Sequence, residues 1–249
     1  MKKLLFLFVF GVVLFHVFTV CAEEKMTSIR LVTSEWPGYT NKDGTGLYFD
    51  VIKAVYEPVG IKVEFELVPW KRAQKMVKEK ADALVGEYFL PKAGYLYPKW
   101  PIDVEDLTIL FKKGKIAEWK GEASLENKKV AWIRGYDFQE NIKIKMEISE
   151  IDEVKSGLLM LAKDRIDFLV DYEDSIKEEA QKMRDFDLAQ NQMEQLRLGE
   201  KIYVAFVNSE RGKKLVEIFD TQMAQLYESG VLDTMYKNFT QWHYDGYPK

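Results

Sequence analysis

Between Thr27 and Val55 the chain passes through one complete change of hydrophobic period. Ile29, Leu31 and Val32, set between Thr27 and Thr33, have the β-branched, apolar character of a buried strand, and the run stops at Trp36-Pro37-Gly38. A polar, glycine-rich stretch follows, Asn41-Lys42-Asp43-Gly44-Thr45-Gly46. Tyr48, Val51, Ile52 and Val55 then recur at spacings of three and four, which builds one buried helical face. The predicted unit is strand, loop, helix. In an open α/β sheet the loop leaving the carboxyl end of a strand is where ligands bind, because strand ends converge there and helix starts offer free amide donors. Glu35 and Trp36 occupy such a loop. Trp36 either stacks on a ligand or covers the edge of the core.

The alternation continues. Ile61 to Leu67 alternates apolar and polar positions as a half-buried strand does, and Pro69-Trp70-Lys71-Arg72 leads into an amphipathic helix through Ala73, Met76 and Val77. Ala81 to Val85 reads as a buried strand ending at Gly86-Glu87-Tyr88. Strand and helix alternating in this way predict right-handed crossovers and a largely parallel sheet. Glu35-Trp36, Trp70 to Arg72 and Glu87-Tyr88 would then face one crevice. Pro91 to Pro101 is irregular in pattern, and the apolar run Leu107 to Phe111 marks a first crossing into a second lobe. There, Lys129 to Ile133 is a strand ending at Arg134-Gly135-Tyr136, with a helix and a weak strand after it to Ile148. A helix from Ile151 carries Leu158, Leu159 and Leu161, and the strand Ile166 to Val170 delivers Asp171. Ile202 to Val207 is the return crossing, and a long helix from Glu210 to Tyr227 and a shorter one to Phe239 cap the first lobe. The expected fold is α/β with two lobes, each a mostly parallel sheet flanked by helices, joined by two crossings. The first lobe takes residues 23–111 and 203–249, and the second takes 112–202.

Residues 1–22 read as a cleaved secretory leader: Lys2-Lys3, an apolar run from Leu4 to Val20, then Cys21-Ala22 before Glu23-Glu24-Lys25. Cleavage is expected after Ala22; lipidation at Cys21 is the alternative, weakened by the bulky Phe18 upstream. The run is short for a spanning helix. Removing these 22 residues leaves 227 of 249, takes away the chain's one cysteine and one of its two histidines, and moves the formal charge from −4 to −6. A chain without thiols has no disulfide, cysteine nucleophile, thiolate metal site or iron-sulfur cluster. An acidic balance argues against nucleic acid. The remaining histidine, His243, lies in the aromatic tail Trp242-His243-Tyr244, away from every strand-end loop, so a histidine metal cluster is excluded and a serine triad is disfavoured. No cofactor, metal or catalytic residue is expected. Glu87 with Asp171 could serve as an acid/base pair only if one carboxyl were held protonated.

Several features together resemble the family 3 periplasmic solute-binding proteins. Gly46 is followed at four residues by Asp50 in the first helix, a glycine and an aromatic flank residue 87, Lys128-Lys129-Val130 leads to Arg134-Gly135-Tyr136, and Lys163-Asp164-Arg165-Ile166-Asp167 and Gly230-Val231-Leu232-Asp233-Thr234-Met235-Tyr236 follow in order. The resemblance spans roughly Ser28 to Phe239. It implies the type II periplasmic binding fold, a small polar solute such as an amino acid held between the lobes, and delivery to an ABC transporter permease; nothing in the sequence points to an oligomer, and a monomer is expected. The alternatives on the same fold are a periplasmic ligand sensor acting on a membrane receptor and a dehydratase-like enzyme. The strand-end positions give a candidate ligand site of Glu35, Trp36, Trp70, Arg72, Glu87, Tyr88, Arg134, Tyr136 and Asp171, and the resemblance matches Asp171 to the aspartate that holds a ligand ammonium. Asp171 could also cap a helix ahead of Tyr172. One departure stands out: the Thr-Pro-x-Arg segment that supplies a carboxylate-binding arginine in amino-acid binders corresponds here to Leu90-Pro91-Lys92-Ala93. Arg72 or Arg134 is the available replacement, a planar fork suited to a carboxylate.

Overall fold

The computed structural model describes residues 26–90 and 93–240. The leader, the alternative at Cys21 and the tail containing His243 lie outside the described residues. A central strand, β1 (Ser28–Thr33), pairs in parallel with β2 (Lys62–Leu67) on one side and β3 (Ala83–Tyr88) on the other. A second set, β6 (Lys129–Ile133), β7 (Glu147–Ile151) and β8 (Phe168–Tyr172), repeats the arrangement with β6 at its centre. Between them run β5 (Asp103–Lys112) and β9 (Asn191–Val207), antiparallel to each other, so the strands form one sheet in the order β2-β1-β3-β9-β5-β8-β6-β7. The two-residue strand β4 (Tyr95–Leu96) pairs with β9 off this path.

β9 makes the connection possible. At about 3.3 Å per residue, its 17 residues extend over roughly 55 Å, enough to belong to both halves. Its carboxyl end pairs with β3 and its amino end with the carboxyl half of β5, which in turn pairs with β8. The β5–β9 register shifts on both sides of Leu107, and Asp106 braces this irregularity by accepting from the Gly199 backbone at 3.0 Å and the Gln195 amide at 2.6 Å.

Helices cover both faces. The apolar face expected after Gly46 is α1 (Leu47–Tyr56), and it buries Leu47, Phe49, Val51, Ile52, Val55 and Tyr56. It packs against α5 (Glu210–Glu228), where the Tyr56 hydroxyl donates to the Leu215 carbonyl at 2.9 Å. α2 (Trp70–Lys80) and α6 (Val231–Thr240) complete the first half, and α3 (Val154–Ala162) and α4 (Glu173–Lys182) cover a separate apolar cluster in the second. Asp82, nearly buried, ties α5 to the sheet by taking Arg211 Nε at 2.8 Å and the Arg30 backbone N–H at 2.9 Å.

Within each half the strands pair in parallel as expected, and the two crossings enter antiparallel to their neighbours. Three local expectations are corrected. Both crossings are longer than their apolar runs, beginning at Asp103 and Asn191. Polar residues open them, and strand pairing prevails there over propensity. The helix expected after Tyr136 is a single 3-10 turn, Phe138–Glu140, and β7 continues through Ile151, so α3 begins only at Val154.

Gly46 holds the first loop against α1. Its φ is +116°, and a Cβ there would lie 2.5 Å from the Tyr39 carbonyl oxygen, a backbone atom. Gly60 also has positive φ, +80°, but open space around it. Gly46→Ala is therefore expected to lower unfolding free energy by about 3 kcal/mol, strain and clash together, while Gly60→Ala costs about 1 kcal/mol from strain alone. Urea denaturation of the two variants measures the difference.

Candidate functional site

The carboxyl ends of β1, β2, β3, β6 and β8 converge on one crevice between the halves. The loop after β1 is folded on itself: Thr40 Oγ1 donates to the Ser34 carbonyl at 2.8 Å and accepts from the Trp36 N–H at 3.0 Å, and Asn41 Oδ1 accepts from the Gly38 N–H at 2.8 Å. This fixes Trp36 over β3, where only glycine fits beneath it; a Cβ on Gly86 would lie 2.4 Å from the indole ring. Trp36 meets Trp70, the first residue of α2, with ring centroids 5.4 Å apart.

Across the crevice stands the turn after β6. The Gly135 carbonyl accepts from Trp70 Nε1 at 3.1 Å and from Gln74 Nε2 at 3.0 Å. Gly135 has φ +86°, a left-handed conformation that favours glycine, and a Cβ there would displace the Gln74 side chain, 2.8 Å away. Tyr136 stands edge-on to Trp70, and Phe138 lies between Tyr136 and Tyr88. The Tyr88 and Tyr172 hydroxyls touch, and Lys71 reaches Asp137 at 3.7 Å. Side chains of the two halves thus meet directly. A cavity of about 10 Å³ remains beside Tyr88, Leu107, Tyr136 and Phe138, room for a single water. A wider groove of about 270 Å³ opens beside it, along Phe89, Asn141, Glu200 and Tyr203.

Buried and half-buried acids are the main electrostatic feature. Glu87, 2 % exposed, accepts from its neighbour's N–H at 3.1 Å and from Gln74 Nε2 at 3.4 Å; burial pushes its carboxyl up to about 8 against the pull of that amide. Asp171, 1 % exposed, accepts the Tyr172 N–H on Oδ1 at 2.8 Å, while its buried Oδ2 has no hydrogen-bond partner. Burial raises it to about 7. On β5, Asp103 and Glu105 share the Tyr48 hydroxyl at 3.0 and 3.2 Å; burial raises Asp103 to about 6, and burial followed by the nearby Asp103 raises Glu105.

Of the residues singled out from sequence, Trp36, Trp70, Glu87, Tyr88, Tyr136 and Asp171 line this crevice or its floor. Three do not join them. Glu35 is exposed and paired with Lys42 at 2.8 Å, Arg72 is exposed on α2, and Arg134 is exposed with its guanidinium on Glu150 at 3.0 Å and Asp152 at 2.9 Å. α4 has Tyr172 as its N-cap residue, so Asp171 sits one position too early to cap it. Trp132 is fully buried in the core. Tyr39, Tyr48, Gln74, Asp103 and Glu105 were not foreseen. The alternation of Asp103, Glu105 and Leu107 ahead of the apolar run was the signal for the two acids, and Gln74 lies one helical turn beyond Trp70. Among the described residues no group of three or more histidine, cysteine or carboxylate side chains is arranged to hold a metal ion, and no helix is long and apolar enough to cross a membrane.

No protein-family model and no curated protein sequence matches the chain. Solved structures do. A histidine kinase sensor domain with similarity to periplasmic binding proteins aligns with TM-score 0.73 at 18 % identity, over 88 % of this chain and 98 % of that one. An ancestral arginine-binding protein bound to arginine gives TM-score 0.68 at 18 % identity, over 86 % and 98 %. A Salmonella typhimurium periplasmic binding protein of high arginine specificity gives 0.64 at 16 %, over 85 % and 98 %. The fold is the two-lobe, type II periplasmic binding fold.

The raised carboxyls set a pH dependence. Unfolded carboxylates titrate near pH 4, so between about pH 4 and the folded values of about 7 and 8 the folded chain holds protons the unfolded chain has lost. The stability these groups contribute is complete below about pH 4 and is lost as pH rises through 7 and 8, at about 1.4 kcal/mol per pH unit for each proton held. Chemical denaturation is expected to show lower stability at pH 8 than at pH 5. The difference should shrink in the Glu87→Gln, Asp171→Asn double variant.

Proposed function

We propose that this chain is an extracytoplasmic solute-binding protein of the family 3 type, which takes a small polar solute into the crevice and closes on it. The observation that carries the reading is that strand-end loops from both halves reach the same point, with Trp70 and Gln74 bonded to the Gly135 carbonyl and Trp70 edge-on to Tyr136. A solute seated there touches both halves at once, so it favours the closed arrangement by contacts that an open one lacks. The crossing strands β5 and β9, irregular beside Leu107, are the natural hinge. On this reading the lobes are residues 23–111 with 203–249, and residues 112–202. Residues 1–22 direct the chain to the periplasm, and the closed form is presented to an ABC transporter permease. The chain acts as a monomer without catalysis, in keeping with solved neighbours that are binding proteins. The solute contacts are Trp36, Trp70, Glu87, Tyr88, Tyr136 and Asp171.

Sensing is the second reading, favoured by the likeness to a kinase sensor domain. It uses the same site and differs in its partner, a membrane receptor. Neighbouring genes for a permease and ATPase would favour transport, and a neighbouring kinase would favour sensing.

A thermal-shift screen of the protein against amino acids, amines, carboxylates and sugars tests the binding claim. A solute at a hundredfold excess over its Kd adds about 2.7 kcal/mol to folded-state stability and raises the midpoint. Trp36→Ala is expected to weaken that solute at least tenfold by removing an aromatic wall. If no solute of any class shifts the midpoint, the reading fails.

A further inference from the structure

We infer that the solute is a small organic amine without a carboxylate, its cationic head set against Asp103, Glu105 and Asp171 and its carbon skeleton against Trp36, Tyr39 and Tyr136. This rests on the solute-binding reading above and supplies the chemical class that reading leaves open.

Acids from three elements converge here. Asp103 and Glu105 lie on the same face of β5, within reach of the one Tyr48 hydroxyl at 3.0 and 3.2 Å. Glu105 feels the charges of Asp171, at the end of β8, and of Asp174, in the first turn of α4. The Tyr39 ring, packed on Tyr48 at 4.9 Å, feels Glu105, Asp103 and Asp174 together, and the Tyr136 hydroxyl feels Asp171 and Glu105.

An independent observation points to a missing donor. Asp171 Oδ2 is buried and accepts no hydrogen bond, which is unfavourable until a donor arrives. An ammonium or guanidinium group brings several donors and a positive charge.

The nearby cations are engaged elsewhere. Arg197 is held by Glu122 at 2.7 Å and Glu200 at 3.1 Å, Arg134 by Glu150 and Asp152, and Lys71 faces Asp137. Among the described residues none forms an ion pair with Asp103, Glu105, Asp171 or Asp174. A ligand carboxylate entering this region would add a negative charge among four acids, and the guanidinium that lines the adjoining cavity, Arg197, is already held by two carboxylates. A bare metal ion is disfavoured, since these carboxylates are not gathered closely enough to coordinate one. Aromatic faces beside a cation's counter-charges suit an organic cation, because the ring quadrupole attracts the charge while the carbon chain is desolvated.

Matched pairs isolate the carboxylate. Isothermal titration of the protein with 1,4-diaminobutane and with ornithine, and with agmatine and with arginine, compares ligands of closely similar cationic skeleton. In at least one pair the decarboxylated amine is expected to bind at least tenfold more tightly than its amino-acid parent. Glu105→Gln and Asp171→Asn should each weaken that amine at least tenfold while retaining a cooperative thermal transition. Asp103→Asn serves as a second probe of β5 should either fail to fold. Equal or tighter binding of the amino-acid parents, or binding confined to sugars, dicarboxylates or calcium ions, overturns this inference and leaves solute binding standing. Failure of every class to bind overturns both.

Discussion

The antiparallel pairing of β5 with β9 is the constraint on which the rest of the molecule depends. Two strands carry one sheet across both halves, so each half keeps its own parallel strands and helices while sharing a single hydrogen-bonded seam. Along that seam the register shifts at Leu107, and Asp106 turns aside to brace the Gly199 side. A regular ladder would resist bending there; a bulged one concentrates deformation at a few residues. The same seam carries Asp103 and Glu105 to the crevice, so hinge and electrostatics arise from one element.

The two halves meet through groups the chain itself supplies. The Gly135 carbonyl takes two side-chain donors from α2, and the aromatic rings of Trp36, Trp70, Tyr136, Phe138 and Tyr88 pack against one another between the halves. On the proposed reading, such contacts set the free-energy difference between closed and open forms that a solute must add to. A solute of suitable chemistry would replace some of them and contribute its own. Glu87 and Asp171 would oppose that closure when charged, since each loses water without gaining a cation.

The strand-loop-helix units were legible because each was encoded locally. Ile29 to Val55 changed period at a glycine-rich loop, and Ala83 to Tyr88 was a short apolar run ending in glycine and an aromatic. The positions of Trp36, Trp70, Glu87 and Tyr136 at strand ends followed from this. The amino half of β9 was not legible: Asn191 to Arg197 is largely polar, and it is a strand only because β5 lies beside it. Arg134 illustrates the limit for side chains. Its place after β6 was foreseen, but the guanidinium turns outward because Glu150 and Asp152 on the neighbouring β7 segment attract it, and long-range pairing of that kind leaves no local mark. Asp103 and Glu105 escaped for a related reason, since their significance lies in proximity to Asp171, far along the chain.

The most direct test of hinge closure on a solute is the distance between the halves. Spin labels on exposed positions of α2 and α4 would report that distance as a distribution in solution. A population of longer distances that collapses to one short distance on saturation with a bound solute is the predicted result. A distribution unchanged by a solute that demonstrably binds would contradict the account.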